Sequence, residues 1–323
     1  MKTRSLLLLT LLAAGATAAP TVVYQPTLLA DYPLTAEEAA GQFASGLGNP
    51  EGWRFNEPTL FGELLAPLSG PRGLGELITY AAQSEASDVA MLRFSKTEEG
   101  GFAFALRWQN NHLSGSCLYV EDLSDFDWSE LGRGLSTGKL EVGDGELHSY
   151  TGLRWLAELD PGLALVAALD WLAEEPSSYT AAAQVIRLAG RVCGQISPVG
   201  DVAALRGTQR ALQVLVSLSA EILRQSRDKT EGEPLLRLLY ETGNVAESAW
   251  KALRLTLPFR GLGDSPTSLE TIQREGRELS LAFRQQALNG YAECIRVAHA
   301  QGLLGSTWLM LAHVSSEVIE SIR

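Results

Sequence analysis

The chain has few of the residues that usually bind transition metals. It contains four histidines and three cysteines among 323 residues. The histidines form no HxxxH or HExxH pattern and the cysteines form no CxxC pattern, so the common zinc spacings are missing. The sequence therefore predicts no zinc site and no cofactor.

The small number of cysteines also limits disulfide formation. Cys193 and Cys294 both fall in the half of the chain with helical periodicity, so they form the possible pair if an exported chain makes one bond. An odd count leaves at least one cysteine free or bonded to another chain. The simpler alternative is that all three, including Cys117, are small buried residues.

Long hydrophobic runs are missing except at the N-terminus. Lys2 and Arg4 precede an apolar run from Leu6 to about Ala16, and small residues follow up to Ala18. This pattern is typical of a signal peptide and is too short for a membrane span of about 20 residues. We therefore expect a soluble protein exported to the periplasm or the extracellular space, with residues 1–18 removed.

Basic residues are scarce in the first half of the chain. Residues 19–150 contain 19 acidic and 7 basic side chains, and the whole chain has a formal net charge of −12. An acidic surface gains nothing from counterion release on nucleic acid and is repelled by anionic lipid. We therefore predict no nucleic-acid binding. No stretch after the N-terminal run is apolar for about 18 residues, so we also predict no membrane-spanning segment.

Residues 19–150 show helix signals first and strand signals later. Thr35 and Glu38 form a capping box, and a further helix is expected over 73–87. Alternating apolar residues predict strands at 88–96, 100–109 and 112–121, with another hairpin at 139–150. The order predicts an acidic α+β domain in which helices cover one face of an antiparallel meander.

Residues 151–323 show helical periodicity throughout. We predict an all-α bundle and a mainly α protein overall, with helices near 153–174, 178–196, 201–228, 233–257, 266–302 and 305–322. The first and third of these helices are expected to be central, because they are apolar on several faces. Gln209 and Gln286 lie on predicted packing seams, where they would either set helix register or line a ligand cavity.

Residues 121–140 contain several partial matches to chemical motifs. Asp122, Asp125 and Asp127 are candidate calcium ligands, but neither possible register has the glycine and glutamate of an EF-hand loop. We expect a polar turn instead, with Asp127 or Ser129 capping a short helix.

The same stretch also contains a GxSxG pattern around Ser136. A nucleophile elbow requires a buried strand before the serine and a helix after it, and the surrounding sequence predicts neither. Ser136, Asp144 and His148 remain the candidate groups of a hydrolase alternative. The sequence favours a non-enzymatic binding, interaction or structural protein with a protein partner or a small apolar ligand, or a homodimer.

The signal-peptide interpretation predicts the N-terminus of the mature protein. N-terminal sequencing of the exported chain should begin at Ala19 and continue with Pro20 and Thr21, because small residues precede this bond at the −3 and −1 positions. A mature protein that retains Met1 would contradict export through this segment.

Overall fold

The computed structural model describes the chain in separate ranges. These are residues 21–24, 34–48, 53–55, 74, 77, 81, 88–96, 100–109, 112–120, 126–137, 150–196, 202–256 and 266–322. Within these ranges, none of the helices combines the length and the apolar character that a membrane crossing requires. The protein is mainly α with an α+β portion, as the sequence predicts.

A five-stranded mixed sheet forms the centre of the first half. Its strands are β1 (Thr21–Tyr24), β2 (Trp53–Phe55), β3 (Asp88–Lys96), β4 (Gly101–Gln109) and β5 (His112–Val120). They lie in the order β2-β1-β3-β4-β5, and β1 runs parallel to both β2 and β3. The antiparallel meander β3-β4-β5 confirms the strands predicted there, while β1 and β2 were missed because they are only four and three residues long. The hairpin predicted at 139–150 lies outside the described residues, except for Tyr150.

Helices cover both faces of the sheet, which corrects the expectation of one covered face. Helices α1 (Ala36–Gly46) and α2 (Ser129–Thr137) enclose a small core that contains Phe43, Ala105 and Trp128. Phe104 and Leu106 point to the opposite face and join a larger core. Because successive strand residues face opposite sides, a strand buried on both faces reads as a continuous apolar run.

The N-terminal capping box of α1 forms as predicted. The Glu38 backbone N–H donates to Thr35 Oγ1 at 3.1 Å, and the Thr35 backbone N–H donates to Glu38 Oε2 at 2.7 Å. These bonds satisfy two backbone groups that have no partner within the helix. They fix the start of α1 directly after Thr35.

Seven helices form across the described part of residues 150–322. They are α3 (Tyr150–Leu159), α4 (Pro161–Glu174), α5 (Tyr179–Gln195), α6 (Val202–Arg227), α7 (Gly232–Thr256), α8 (Pro266–Ala300) and α9 (Thr307–Ser321).

The prediction of one helix over 153–174 is wrong, because α3 ends at Leu159 and a new helix begins at Pro161 with Asp160 as its N-cap. Pro161 is well suited to the first turn of a new helix, and Asp160 Oδ1 accepts from the backbone N–H of Gly162 at 2.6 Å. Burial raises the pKa of the Asp160 carboxyl to about 6.

The two predicted central helices differ in their actual environment. Helix α4 is buried from Pro161 to Ala168, so it is central as expected. Helix α6 exposes Arg206, Arg210 and Gln213 along one side, so the expectation of a central α6 is wrong. Its other side is buried and includes Leu212, which follows the predicted seam.

One large core connects the sheet to the helices of the second half. It contains Leu106 from β4, Leu163 from α4, Leu236 from α7 and Tyr291 from α8. The boundary at residue 150 therefore separates an α+β part from an all-α part, and the two parts share one continuous hydrophobic core.

The buried seam of α8 departs from the predicted one after Phe283. The seam that the sequence predicts through Gln286 steps by three and four residues and also includes Ile272, Gly276 and Phe283. These three are buried, but the next buried residue is Ala287 and Gln286 is exposed. The predicted seam repeated every 3.5 residues, whereas a straight helix repeats every 3.6, so the buried side moves forward along a long helix.

Helices α7 and α8 approach each other closely at two glycines. A Cβ atom added to Gly290 would lie 2.9 Å from the Gly243 Cα atom. A Cβ atom added to Gly243 would lie 2.8 Å from a ring carbon of Tyr291. The missing side chains thus allow the two helix backbones to approach each other.

Substitution of Gly290 by alanine tests this close contact. We expect a loss of about 1–3 kcal/mol in the free energy of unfolding, because the new methyl group meets backbone atoms that cannot move aside. Gly41→Ala in α1 is the matched control, because its Cβ would have nothing within 4 Å and alanine favours a helix by about 1 kcal/mol. Urea denaturation should show a lower free energy of unfolding for Gly290→Ala and a higher one for Gly41→Ala. A higher free energy of unfolding for both variants would contradict the close contact.

Candidate functional site

Asp127 forms the polar turn that the sequence predicts. Its carboxylate accepts from the Ser129 backbone N–H at 2.9 Å and from Ser129 Oγ at 2.6 Å, directly before α2. The hydrogen bond from the Ser129 side chain is the main reason that the pKa of Asp127 lies below its usual value. Asp122 and Asp125, the other two candidate calcium ligands, lie outside the described residues, so the calcium alternative stays untested.

The GxSxG pattern lies largely within a helix and not in a turn. Helix α2 continues through Thr137, so Gly134 and Ser136 are helical and Ser136 does not follow a strand. The glycines of α2 allow close packing: a Cβ at Gly132 would lie 2.4 Å from the Phe43 carbonyl oxygen, and one at Gly134 would lie 2.3 Å from Ser116 Oγ. These contacts give the glycines a structural role that does not involve a nucleophile.

The other two groups of the hydrolase alternative lie outside the described residues. These are Asp144 and His148, so the structure neither brings them to Ser136 nor separates them from it. The hydrolase alternative therefore stays a prediction.

All three cysteines are buried free thiols, so the possible bond between Cys193 and Cys294 is not formed in this structure. Cys294 Sγ instead donates to the Leu236 carbonyl oxygen at 3.4 Å. Burial raises the pKa of Cys117 and of Cys294 to about 12 and raises that of Cys193 as well. The thiols are thus protonated at neutral pH, and a protonated thiol is a poor nucleophile.

Gln209 and Gln286 do not line one cavity. Gln209 Nε2 donates to the Ile272 carbonyl oxygen at 3.3 Å and so connects α6 to α8. Gln286 is exposed and lies 14 residues beyond Ile272, which is about 21 Å along the helix. The position of Gln209 agrees with a role in helix register.

A cluster of polar side chains that the sequence analysis missed lies between α7, α8 and α9. The Tyr291 hydroxyl donates to Glu247 Oε2 at 2.5 Å, and Lys251 Nζ lies 2.5 Å from Glu247 Oε1. Ser315 of α9 is a hydrogen-bond partner of both Tyr291 and Tyr240. These five residues, Tyr240, Glu247, Lys251, Tyr291 and Ser315, are named the Tyr291 cluster.

The electrostatics of the Tyr291 cluster favour a structural role. Burial raises the pKa of Tyr291 far above its usual value, and the hydrogen bond to the Glu247 carboxylate raises it further. Tyr291 therefore remains a neutral donor, while Lys251 balances the charge of Glu247. Since each polar group bonds another, the cluster holds the three helices in one register.

Helix α9 is fixed along its whole inner side. At its start, Ser306 accepts from the Trp308 backbone N–H at 3.2 Å and donates to Glu233 Oε2 at 2.9 Å. The Trp308 ring packs 5.5 Å from that of Tyr240. At its end, Arg284 Nη2 donates to the Ile319 carbonyl oxygen at 3.0 Å. Together with the hydrogen bonds of Ser315 in the Tyr291 cluster, these contacts hold the helix at both ends and in the middle.

The outer side of α9 carries an exposed apolar row. Met310, Val314 and Val318 are 59%, 54% and 44% exposed and follow each other at intervals of four residues, so they lie along one side of the helix. These three residues are named the outer row. Leu304, just before the helix, is also exposed. Soluble proteins bury most large apolar side chains, and an exposed group of them often marks a binding surface.

The described residues contain no group of three histidine, cysteine, aspartate or glutamate side chains that could hold a metal ion. No protein-family model, curated protein or solved structure matches the chain. Its function must therefore be argued from the Tyr291 cluster and the outer row.

The Tyr291 cluster and the outer row are only weakly indicated by the sequence. Glu247 and Lys251 are spaced as a helical ion pair, and the outer row repeats every four residues. Neither pattern indicates which side of a helix is buried. That information requires the positions of the neighbouring helices.

Removal of the Tyr291 hydroxyl tests the structural role of the cluster. We expect Tyr291→Phe to lower the free energy of unfolding by about 1–3 kcal/mol, because it leaves a buried Glu247 oxygen without its donor. Tyr179→Phe at the start of α5 is the control, because Tyr179 is only partly buried and lies outside the Tyr291 cluster. Urea denaturation should show a loss for Tyr291→Phe alone; equal effects would contradict the assigned role.

Proposed function

We propose that this chain is an exported, non-enzymatic interaction module that binds a protein partner on the outer row of α9. The observation that carries the proposal is the exposure of Met310, Val314 and Val318 on a helix that is otherwise firmly held. A helix that only closes a bundle needs apolar residues on its inner side alone. Leu309, Ala312 and Ile319 already fill that role in α9.

The contacts of α9 support a rigid binding surface. The Ser306 cap at its start and the Arg284 contact at its end hold the backbone of the helix in place. A partner would therefore meet side chains that are already positioned, and little conformational entropy would be lost on binding. This rigidity favours an interface.

The chemistry around the outer row supports a protein partner. Residues 307–321 contain no lysine or arginine, and the exposed charged groups beside the row are Glu317 and Glu320. Helices that bind membrane surfaces usually carry basic residues on their polar face, and nucleic acids require them. The row also lies on a convex helix surface, whereas small apolar ligands occupy concave pockets.

Serine substitutions in the outer row test the proposal. We expect the variant carrying Met310→Ser, Val314→Ser and Val318→Ser to lose chemical cross-links to proteins of the exported fraction that the native chain forms. Leu281→Ser is the matched control, since it removes an equally exposed apolar side chain from α8. Cross-linked partners are identified by mass spectrometry, and circular dichroism checks that both variants keep the native melting temperature. Identical cross-links for the native chain and the triple variant would refute the proposal.

A further inference from the structure

We propose that the partner on the outer row is a second copy of this chain, paired in antiparallel fashion about a twofold axis near Val314. The inference rests on the proposed function, because it assumes that the outer row binds a protein. It adds the identity of that protein and the geometry of the pair. Two properties of the exposed side of α9 carry it.

The first property is the symmetry of the outer row. Met310 precedes Val314 by four residues, and Val318 follows it by four. A twofold axis at Val314 therefore places Met310 against Val318 of the second copy, twice, and Val314 against its own counterpart. Such an interface is isologous, meaning that one surface patch complements itself. The row is about 12 Å long. Along this length, the twofold axis places each apolar residue of one copy against an apolar residue of the other.

The second property is the charge pattern beside the row. His313 and Glu317 are exposed on the same side of the row, one helical turn apart. A twofold axis brings this side against the same side of the second copy in reverse order. His313 then lies within about 3 Å along the helix axis of Glu317 of the other copy, and the reciprocal pair forms as well. Histidine can donate a hydrogen bond to a carboxylate, so the two pairs are complementary.

The same pattern disfavours a parallel pair. In that arrangement the twofold axis runs along the helices, so His313 and Glu317 of the two copies lie on opposite flanks of the row and form no pair. The antiparallel pair therefore brings the two apolar rows together and also forms both His313–Glu317 pairs.

The size of the surface predicts a weak and reversible dimer. Stable interfaces bury about 800 Å² on each partner, which is more than one helix with three outward apolar side chains provides. The whole chain has a formal net charge of −12, and removal of Lys2 and Arg4 with residues 1–18 makes each mature copy more negative still, which opposes association. We expect a dissociation constant on the order of 10 µM to 1 mM.

Cysteine cross-linking tests the position of the axis on the full mature chain. Val314→Cys should form a covalent dimer on mild oxidation, because the residue on the axis meets its own counterpart. Leu281→Cys is the control for random collision, since it is equally exposed on α8. The three native cysteines are fully buried and should not react. Dimer formation by both variants at equal rates, or by neither, would overturn the inference.

Sedimentation of charge variants tests the pairing of His313 with Glu317. We expect His313→Glu to weaken the dimer about tenfold, since it places two carboxylates together. Combining it with Glu317→Lys should restore the association, because the carboxylate at position 313 of one copy then faces the ammonium group at position 317 of the other. Both positions are exposed on the surface, so the melting temperature should stay unchanged. A native chain that remains monomeric at 1 mM, or a double variant that associates no better than His313→Glu, would overturn the inference.

The two proposals fail in different ways. If the native chain is monomeric and the serine variant still loses its cross-links to exported proteins, the second copy is refuted and a different protein partner remains. If the serine variant keeps every cross-link, the outer row is not a binding surface, and the inference fails together with the proposed function.

Discussion

The close approach of α7 and α8 at Gly243 and Gly290 is the constraint on which the second half of this protein depends. Two helices with larger residues at these positions would stand further apart, because their backbones could not meet. At the observed separation, the Tyr291 hydroxyl reaches Glu247 across the interface. Helix α9 packs against the same two helices. It contacts Glu233 and Tyr240 of α7 and Arg284 of α8. The position of the outer row thus follows from two missing side chains.

Glycine has the same role in the first half of the chain. Gly132 and Gly134 let α2 lie directly on α1 and β5, where any Cβ atom would collide with the Phe43 carbonyl oxygen or with Ser116. In the sequence Gly134 belongs to a GxSxG pattern that resembles a nucleophile elbow, since both functions require a residue without a side chain near a close contact. A motif defined by glycines is therefore ambiguous until the neighbour that they approach is known. Here the neighbours are a helix and a strand.

Much of the fold could be predicted from local patterns, and the candidate site could not. Alternation along Phe104, Leu106 and Trp108 identified β4, and the capping box at Thr35 identified the start of α1. The break at Asp160 was missed although Pro161 is visible in the sequence, because the flanking apolar residues continue the helical period across it. Gln286 was placed on the wrong side of α8, since a small error in the assumed period grows along a helix of 35 residues. The Tyr291 cluster escaped prediction because Tyr291 and Glu247 are 44 residues apart.

The sequence by itself determined the antiparallel meander, the helical second half and the acidic, mainly helical character of the protein. These properties depend on residues a few positions apart, and hydrophobic spacing reports them directly. Only the tertiary structure decided that helices cover both faces of the sheet, that the cysteines are separate buried thiols, and that α9 carries apolar residues on both its inner and its outer side. Each of these depends on which distant elements pack together. Spacing along the chain shows that a residue is apolar, but only the packed neighbours determine whether it is buried.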